Sequence, residues 1–220
     1  LDFSKIEAGI IELNEVVFDA VALVKAVHKS FSYRMKDKEV KMLLEIDASI
    51  NKQVLGDKNL VNQILINLVS NATKFTSKGF IKIVLNKLNE KDDNINIEFK
   101  IADSGIGINT TKLNEVFKSF KQIKSPSGES YGGTGLGLAI VKHLVAIQKG
   151  SIDVKSEVNV GTKFSVVIPF KKTNIDLNQA DISNGSIQPK DFSGAKVLIA
   201  EDNLMNQKFI SKVLDKINVS

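Results

Sequence analysis

Between residues 80 and 170, strand-like runs occur in two closely spaced pairs. Residues 80–88 and 95–102 are separated by the polar turn 89–94, and residues 150–156 and 162–170 by a turn at 159–161. Short polar turns of this kind suit antiparallel neighbours. The sequence therefore predicts a sheet built largely from antiparallel pairs.

Helical periodicity surrounds these pairs. Apolar residues at core spacing predict helices over residues 18–31, 57–75 and 134–148 and a short helical segment over 113–120. A run rich in branched residues predicts a further strand at 40–46. We expect an α+β fold, a two-layer sandwich in which helices cover one face of a mixed, mostly antiparallel sheet.

The pattern also predicts domain boundaries. Residues 14–170 form the main domain, and residues 1–13 read as the tail of a preceding helix. The final strand is predicted to stop at Pro169, and the polar, aperiodic residues 171–192 are predicted to be a linker. Residues 193–220 begin a second domain with a buried-type strand, so we expect the chain to be part of a longer protein.

Composition removes several classes of chemistry. Among 220 residues there is no cysteine, and His28 and His143 are the two histidines. A disulfide framework, a thiolate metal site and a cysteine nucleophile are thereby excluded. The net charge is +5, but Arg34 is the single arginine. Because phosphate and base recognition favour arginine's bidentate fork, we expect no nucleic-acid partner.

One candidate binding feature lies at a strand end. Asp103, Ser104, Gly105, Ile106 and Gly107 follow directly on the predicted strand 95–102. A carboxylate there, with glycines that let the backbone approach a ligand, can accept a hydrogen bond from an exocyclic amine such as that of adenine. An ordinary Asp-x-Gly turn is the alternative.

A second glycine cluster leads into a helix. Its residues are Gly132, Gly133, Thr134, Gly135, Leu136, Gly137 and Leu138. Backbone N–H groups at a helix N-terminus can bind phosphate, whereas a dinucleotide fingerprint would have to follow a strand directly. The cluster instead follows the polar segment 121–131, which we expect to be a mobile loop. We favour phosphate binding over a glycine turn needed for packing.

Two asparagines lie four residues apart on the helix 57–75. Asn67, Asn71 and the following Lys74 project from one side, at the edge of the apolar stripe. An amide oxygen together with nucleotide phosphates can hold Mg²⁺, and a lysine can neutralise phosphate charge. A solvated helix face explains the same spacing equally well.

Taken together, these clusters resemble the N, G1, F, G2 and G3 boxes of sensor histidine kinases in order and spacing. The N box corresponds to residues 67–76, G1 to 103–107, F to 116–120, G2 to 133–138 and G3 to Gly161-Thr162. The resemblance covers roughly residues 17–170 and implies a Bergerat-type (GHKL) ATP-binding fold. Residues 1–9 resemble the end of a dimerisation and phosphoacceptor helix, and residues 196–203 resemble the first strand of a flavodoxin-like receiver domain. This order implies a hybrid histidine kinase.

The resemblance also implies roles for individual residues. Asp103 would bind the adenine amine and Asn71 would ligate Mg²⁺, while Asn67 and Lys74 would lie close to the phosphates. Asn67, Asn71 and Lys74 would thus be the catalytic residues. The remaining nucleotide contacts would come from Gly105, Gly107, Phe117, Phe120, Gly133, Thr134, Gly135, Leu136, Gly137, Leu138 and Thr162. Residues 121–131 would form the ATP lid, and Glu201 and Asp202 an incomplete receiver Mg²⁺ site.

The implied activity is transfer of the ATP γ-phosphate to a histidine on a phosphoacceptor domain outside this chain. Neither His28 nor His143 has the sequence context of that acceptor. The expected partners are ATP, the phosphoacceptor domain and the receiver domain. The longer protein is expected to be a homodimer, and this chain to belong to its cytoplasmic part. Two alternatives stay open: an ATP-hydrolysing relative of the gyrase, Hsp90 or MutL type, and a docking module that no longer binds nucleotide.

Overall fold

The computed structural model describes residues 13–36, 38–50, 53–91, 93–118 and 135–173, together with residues 197, 207, 210, 211 and 214. The chain divides into two compact units, Leu1–Ile175 and Asp176–Ser220. Four predicted segments lie outside the described residues: the helix tail before residue 13, the lid 121–131, the linker beyond residue 173 and, except for Val197, the strand predicted to open the second domain.

The first unit contains seven strands, three α-helices and one 3₁₀ turn among its described residues. In chain order they are β1 (Val16–Asp19), α1 (Ala20–Arg34), β2 (Val40–Ile46), β3 (Gln53–Gly56), α2 (Lys58–Phe75), β4 (Gly79–Lys91), β5 (Asn94–Asp103), the 3₁₀ turn (Thr110–Glu115), α3 (Gly137–Ile147), β6 (Ser151–Glu157) and β7 (Gly161–Lys172). None of the helices in the described part is both long and apolar enough to cross a membrane.

The strands form one mixed sheet in the order β1-β3-β7-β5-β4-β2, with β6 also paired to β7. The pairs β4–β5, β5–β7, β6–β7, β3–β7 and β1–β3 are antiparallel. Only β2 and β4 run parallel, and α2 lies between them in the chain. The prediction of a mixed, mostly antiparallel sheet is confirmed.

One face of this sheet is apolar and the helices cover it. Its inward side chains are at most 5% exposed: Ile81, Ile83, Leu85, Ile95, Ile97, Phe99, Ile101, Phe164, Val166, Ile168 and Phe170. They form one cluster with the buried faces of all three helices. The opposite face carries polar side chains such as Lys82, Asn86 and Lys163. The two-layer arrangement, with helices on one face, is therefore as predicted.

The start of α2 is fixed by a buried carboxylate. Asp57 is 5% exposed, and its Oδ1 accepts hydrogen bonds of 3.0 Å from the N–H groups of Asn59 and Leu60. Its Oδ2 accepts a third bond of 3.0 Å from the N–H of Asn14, ahead of β1. Asp57 therefore caps α2 and also ties the helix to the chain segment that leads into the sheet.

Several predicted boundaries differ from the observed ones. The strands β1 and β3, of four residues each, were not predicted, and α1 begins at Ala20 because Phe18 belongs to β1. The helix α3 begins at Gly137, whereas residue 134 was predicted, since Gly135 adopts a left-handed φ of 68° that no helix interior tolerates. The segment predicted as helical over 113–120 is a 3₁₀ turn ending at Glu115 within the described residues.

The strand β7 does not stop at Pro169 but continues to Lys172, two residues into the range predicted as linker. On one side of β7, pairing with β6 ends at Val167 and pairing with β3 begins at Lys171. Pro169 lies in this gap and faces only β5 as a neighbouring strand. A residue without an N–H group is tolerated there because one side has no ladder to interrupt.

The end of α3 contains a non-glycine residue in a strained conformation. The N–H of Lys149 donates to the carbonyl of Ala146 and that of Gly150 to the carbonyl of Val145, both at 2.9 Å. This is the hydrogen-bond pattern of a Schellman cap, which requires a left-handed residue, and Lys149 has a φ of 56°. A side chain at such a position costs about 1 kcal/mol relative to glycine.

We predict that Lys149→Gly raises the free energy of unfolding by about 0.5–1 kcal/mol, because glycine adopts this φ without strain. Urea denaturation followed by far-ultraviolet circular dichroism measures the change. Lys149→Ala is the matched control, since it removes the same charge and keeps the Cβ. An equal gain in both variants would assign the effect to charge and contradict the prediction.

Candidate functional site

Asp103 is the last residue of β5, and burial and hydrogen-bond donors have opposite effects on the pKa of its carboxylate. Burial is the largest influence and raises its pKa above the ordinary value of 3.8. The N–H groups of Gly105 and Thr162 and the hydroxyl of Thr76 act in the opposite direction and lower the pKa. The Gly105 N–H lies 2.9 Å from Oδ1. This carboxylate is thus fixed in direction and half-buried at the end of a central strand.

Glycines allow three segments of backbone to meet around Asp103. A Cβ added to Gly105 would lie 2.4 Å from the carbonyl oxygen of Phe75, at the end of α2. At Gly161, where φ is +133°, it would lie 1.9 Å from the carbonyl oxygen of Asp103 itself. At Gly107, with φ +66°, it would lie 1.9 Å from a carbonyl oxygen of β6. These contacts exclude any side chain, so the three glycines are required by backbone packing.

Ser156 of β6 connects the loop after Asp103 to the start of β7. Its Oγ accepts a 2.8 Å bond from the N–H of Ile108 and donates a 2.8 Å bond to the carbonyl of Gly161. The hydroxyl of Thr162 lies 2.9 Å away. Since the Ser156 proton is already used, Thr162 is the donor of that pair. Sequence reasoning missed Ser156, because only the β6–β7 pairing brings it to this loop.

The three polar residues predicted on α2 lie along its partly exposed side. Asn67 and Asn71 are half-buried and Lys74 is exposed. The Nδ2 of Asn67 donates to the carbonyl of Gln63 at 3.0 Å. A Cβ added to Gly137 would lie 3.3 Å from the Oδ1 of Asn67. Asn67 therefore lies beside the first residue of α3.

Within the part of the chain that the structure describes, the N-terminus of α3 has no side-chain cap. Leu136 occupies the cap position without a side-chain hydrogen bond to the helix, and the N–H of Ile140 makes a bond of 2.9 Å to its carbonyl. The first N–H groups of a helix carry partial positive charge and need acceptors. An anion is a suitable acceptor at this point, beside Asn67.

Phe117 anchors the segment that follows the 3₁₀ turn. Its ring makes an edge contact with Phe164 of β7 at a centroid distance of 6.4 Å, and the Nζ of Lys142 lies 5.8 Å from its centroid. The neighbouring Val116 is 6% exposed. Among the other predicted residues, Leu138 packs partly buried against the core, and Phe120, Gly133, Thr134, Glu201 and Asp202 lie outside the described residues.

The helix α2 relates the two candidate contact points. Its C-terminal end reaches Asp103 through Phe75 and Thr76, and Asn67 lies beside α3 nine residues earlier. At the helical rise of 1.5 Å per residue these points are roughly 13 Å apart along the axis. A carboxylate at one end and uncapped helix N–H groups near the other suit an elongated ligand with a polar ring and an anionic tail.

The chain is similar in sequence to several known proteins. Residues 56–172 match the family described as histidine kinase-, DNA gyrase B-, and HSP90-like ATPase. The chain is 33% identical over its whole length to hybrid signal transduction histidine kinase K of Dictyostelium discoideum, of which it covers 19%. Over 94% of its length it is 35% identical to the autoinducer 2 sensor kinase/phosphatase LuxQ of Vibrio parahaemolyticus, of which it covers 24%. The chain thus spans a quarter or less of these relatives.

Solved structures with related sequences have the same fold. Full-length ShkA, crystallised in complex with AMPPNP, gives a TM-score of 0.68 at 25% identity, covering 99% of this chain and 42% of ShkA. The histidine kinase AdeS of Acinetobacter baumannii gives a TM-score of 0.57 at 28% identity, covering 75% of this chain and 72% of AdeS.

Because burial raises the pKa of Asp103 above 3.8, the folded chain holds this proton more tightly than the unfolded chain. Its contribution to stability is therefore complete below that ordinary value and is lost as pH rises through the raised pKa. We predict that Asp103→Asn gains stability relative to the wild type as the pH rises above about 4 and through the raised pKa of Asp103. Urea unfolding across this range measures the slope of the difference, with Asp153→Asn on exposed β6 as the control. A flat or opposite slope would contradict the prediction.

Proposed function

We propose that this chain transfers the γ-phosphate of ATP to a histidine on a separate phosphoacceptor domain. It belongs to the family of histidine kinase-, DNA gyrase B-, and HSP90-like ATPases and is a histidine kinase catalytic domain. Transfer of this kind depends on positioning and charge neutralisation more than on covalent chemistry by the protein. The proposal extends to a phosphorelay, in which a receiver domain begun by residues 193–220 takes the phosphate next.

The arrangement along α2 is the observation that carries this proposal. The C-terminal end of this helix lies close to the half-buried carboxylate of Asp103, and Asn67 lies beside the N-terminus of α3, where Leu136 supplies no side-chain cap. A nucleotide requires these two features at its two ends, a hydrogen-bond acceptor for the base and N–H donors for the phosphates. The relative ShkA was crystallised with the ATP analogue AMPPNP, in agreement with this assignment.

We assign the adenine end to Asp103, Gly105, Gly107 and Thr162. The carboxylate of Asp103 accepts from the exocyclic amine, and the glycines let the backbone approach the base. Phe117 supports this region through its contact with Phe164. Phe120 belongs to the same family box, and its assignment rests on sequence alone.

The phosphate end is assigned to the start of α3, with Gly135, Leu136, Gly137 and Leu138, and by sequence to Gly133 and Thr134. The assignment of Lys74 to neutralise phosphate charge rests on the sequence resemblance, since this exposed side chain lies near the other end of α2, with its Nζ 5.0 Å from the centroid of the Phe75 ring. Among the described residues no group of three or more His, Asp or Glu side chains is placed to hold a metal. A Mg²⁺ ion would therefore bind through the Asn71 amide oxygen and the nucleotide's own oxygens, which suits an ion that takes few protein ligands. Bound there, Mg²⁺ would neutralise charge on the transferred group.

The phosphate acceptor is proposed to be a histidine of another domain. His28 lies on α1 with its Nε2 3.4 Å from the hydroxyl of Ser32, and His143 lies half-buried on α3. Both histidines therefore belong to the helical layer of this domain, and neither is proposed as the acceptor. The parent protein is proposed to be a homodimer whose cytoplasmic part contains this domain, and Glu201 and Asp202 would contribute to the receiver's Mg²⁺ site.

We predict that Asp103→Asn weakens Mg·ATP binding about tenfold or more, because a charge-assisted hydrogen bond to the adenine amine is lost. Isothermal titration calorimetry with Mg·ATP and Mg·GTP measures the change. Guanine has a carbonyl in place of that amine, so the weaker Mg·GTP binding should change little. Asp153→Asn is the matched control. Equal losses for both nucleotides would remove the adenine assignment.

A second prediction concerns the reaction. When the chain and labelled ATP are mixed with a separately produced phosphoacceptor domain, label should appear on that domain as an acid-labile, base-stable phosphate. This lability distinguishes phosphohistidine from phosphoserine and phosphothreonine. Asn71→Ala should reduce the transfer strongly, because it removes the protein's oxygen ligand for Mg²⁺.

The same assay separates the alternatives. Rapid release of inorganic phosphate without the acceptor would favour an ATPase of the gyrase or Hsp90 type. We expect slow release, because Asn67 stands where those enzymes use a glutamate and an amide cannot act as a general base. Failure to bind any nucleotide with Mg²⁺ would favour a docking module.

A further inference from the structure

Thr76, the residue after α2, has a buried hydroxyl that the described chain leaves without a partner. The residue is 2% exposed, and within the described residues its Oγ1 makes no hydrogen bond of ordinary distance and angle. An unpaired hydroxyl in such a place is costly, and most buried polar side chains have a partner. Its retention at this position therefore requires an explanation.

The surroundings of Thr76 direct this hydroxyl to the proposed base site. Its backbone N–H is already used in a 3.0 Å bond to the carbonyl of Ala72. The carbonyl of the preceding Phe75 accepts from the N–H of Ile106 at 3.2 Å, so this stretch of chain packs directly against the loop that follows Asp103. A Cβ added to Gly105 would meet both the Phe75 carbonyl oxygen and, at 2.9 Å, the Oδ1 of Asp103. The end of α2 therefore lies close to this carboxylate, and the Thr76 hydroxyl lowers its pKa.

The carboxylate has room for such a donor. Its Oδ1 takes the N–H of Gly105, and an ionised carboxylate offers about four acceptor positions. The groups that influence it are the Gly105 and Thr162 N–H groups, the Thr76 hydroxyl and burial; among the described residues no charged side chain contributes. The Thr76 hydroxyl is therefore one of three donor groups that can orient this carboxylate, and the only one of the three that belongs to a side chain.

We infer that Thr76 is a positioning residue of the nucleobase site, whose hydroxyl donates to Asp103 and holds its carboxylate towards the exocyclic amine of a bound adenine. The inference rests on the proposed nucleotide site. It gives the hydroxyl, which makes no hydrogen bond of ordinary geometry in the free chain, a full hydrogen bond to the carboxylate when the base is bound. Thr76 acts through Asp103.

Thr76→Val tests the inference, since valine keeps the shape and removes the hydroxyl. We expect the Kd of the full chain for Mg·ATP to rise about tenfold and its preference over Mg·GTP to fall, as measured by calorimetry. The urea midpoint of the free chain should stay the same or rise, because an unpaired buried hydroxyl has been replaced by a methyl group. Thr76→Ser should bind ATP nearly as well as the wild type.

The pH profile gives a readout that a purely structural role would not change. The Thr76 hydroxyl lowers the pKa of Asp103, so its removal raises that pKa. The acceptor is the ionised carboxylate, and ATP binding by Thr76→Val should therefore be lost at a higher pH on acidification than binding by the wild type. Thr76→Ser should follow the wild-type profile.

Three outcomes would overturn the inference: unchanged affinity and selectivity in Thr76→Val, equal losses for both nucleotides with a lowered urea midpoint, or an unshifted pH profile. If Asp103→Asn itself binds Mg·ATP like the wild type, the proposed adenine site fails, and this result is distinct from a failure of Thr76 alone.

Discussion

Burial of the apolar stripe of α2 against the sheet is the constraint on which the rest of the site depends. Seven side chains of this helix are buried: Leu60, Val61, Ile64, Leu65, Leu68, Val69 and Ala72. With the stripe fixed against the sheet, the helix cannot rotate about its axis without exposing apolar surface to water. Asp57 fixes its start, so the positions of Asn67 and Thr76 relative to the sheet follow. A single hydrophobic contact surface thereby sets both ends of the proposed ATP site.

The site at Asp103 combines close backbone packing with an electrostatic cost. Glycines at 105, 107 and 161 bring carbonyl and N–H groups so near to one another that a Cβ is excluded. The resulting burial raises the pKa of Asp103, and only three donor groups act against this effect. An enclosed carboxylate is a worse contributor to stability and a better directed acceptor than an exposed one. The buried carboxylate therefore lowers the stability of the fold at the position where recognition of the base is proposed.

The sequence predicted an element well where residues within that element determine its limits, and poorly where contacts with distant segments determine them. The predicted limits of β2 are the observed ones, and α2 was predicted to within one residue, because branched residues mark the strand and Asp57 caps the helix. The strands β1 and β3 were missed because four residues carry too little alternation to be recognised, and their pairing with each other is a long-range contact. The end of β7 was predicted wrongly at Pro169, because a proline is tolerated there only through a gap between the two strands that pair with one side of β7.

The sequence by itself determined the class of fold, the family and the candidate residues from Asn67 to Thr162, because motif spacing and periodicity are properties of the chain alone. Only the tertiary structure decided which backbone segments touch, that Ser156 joins the Asp103 loop to β7, and that the Thr76 hydroxyl is buried and unpaired. These facts depend on contacts between α2, β5, β6 and β7, and a hydroxyl's burial and partners are set by such contacts between segments far apart in the chain.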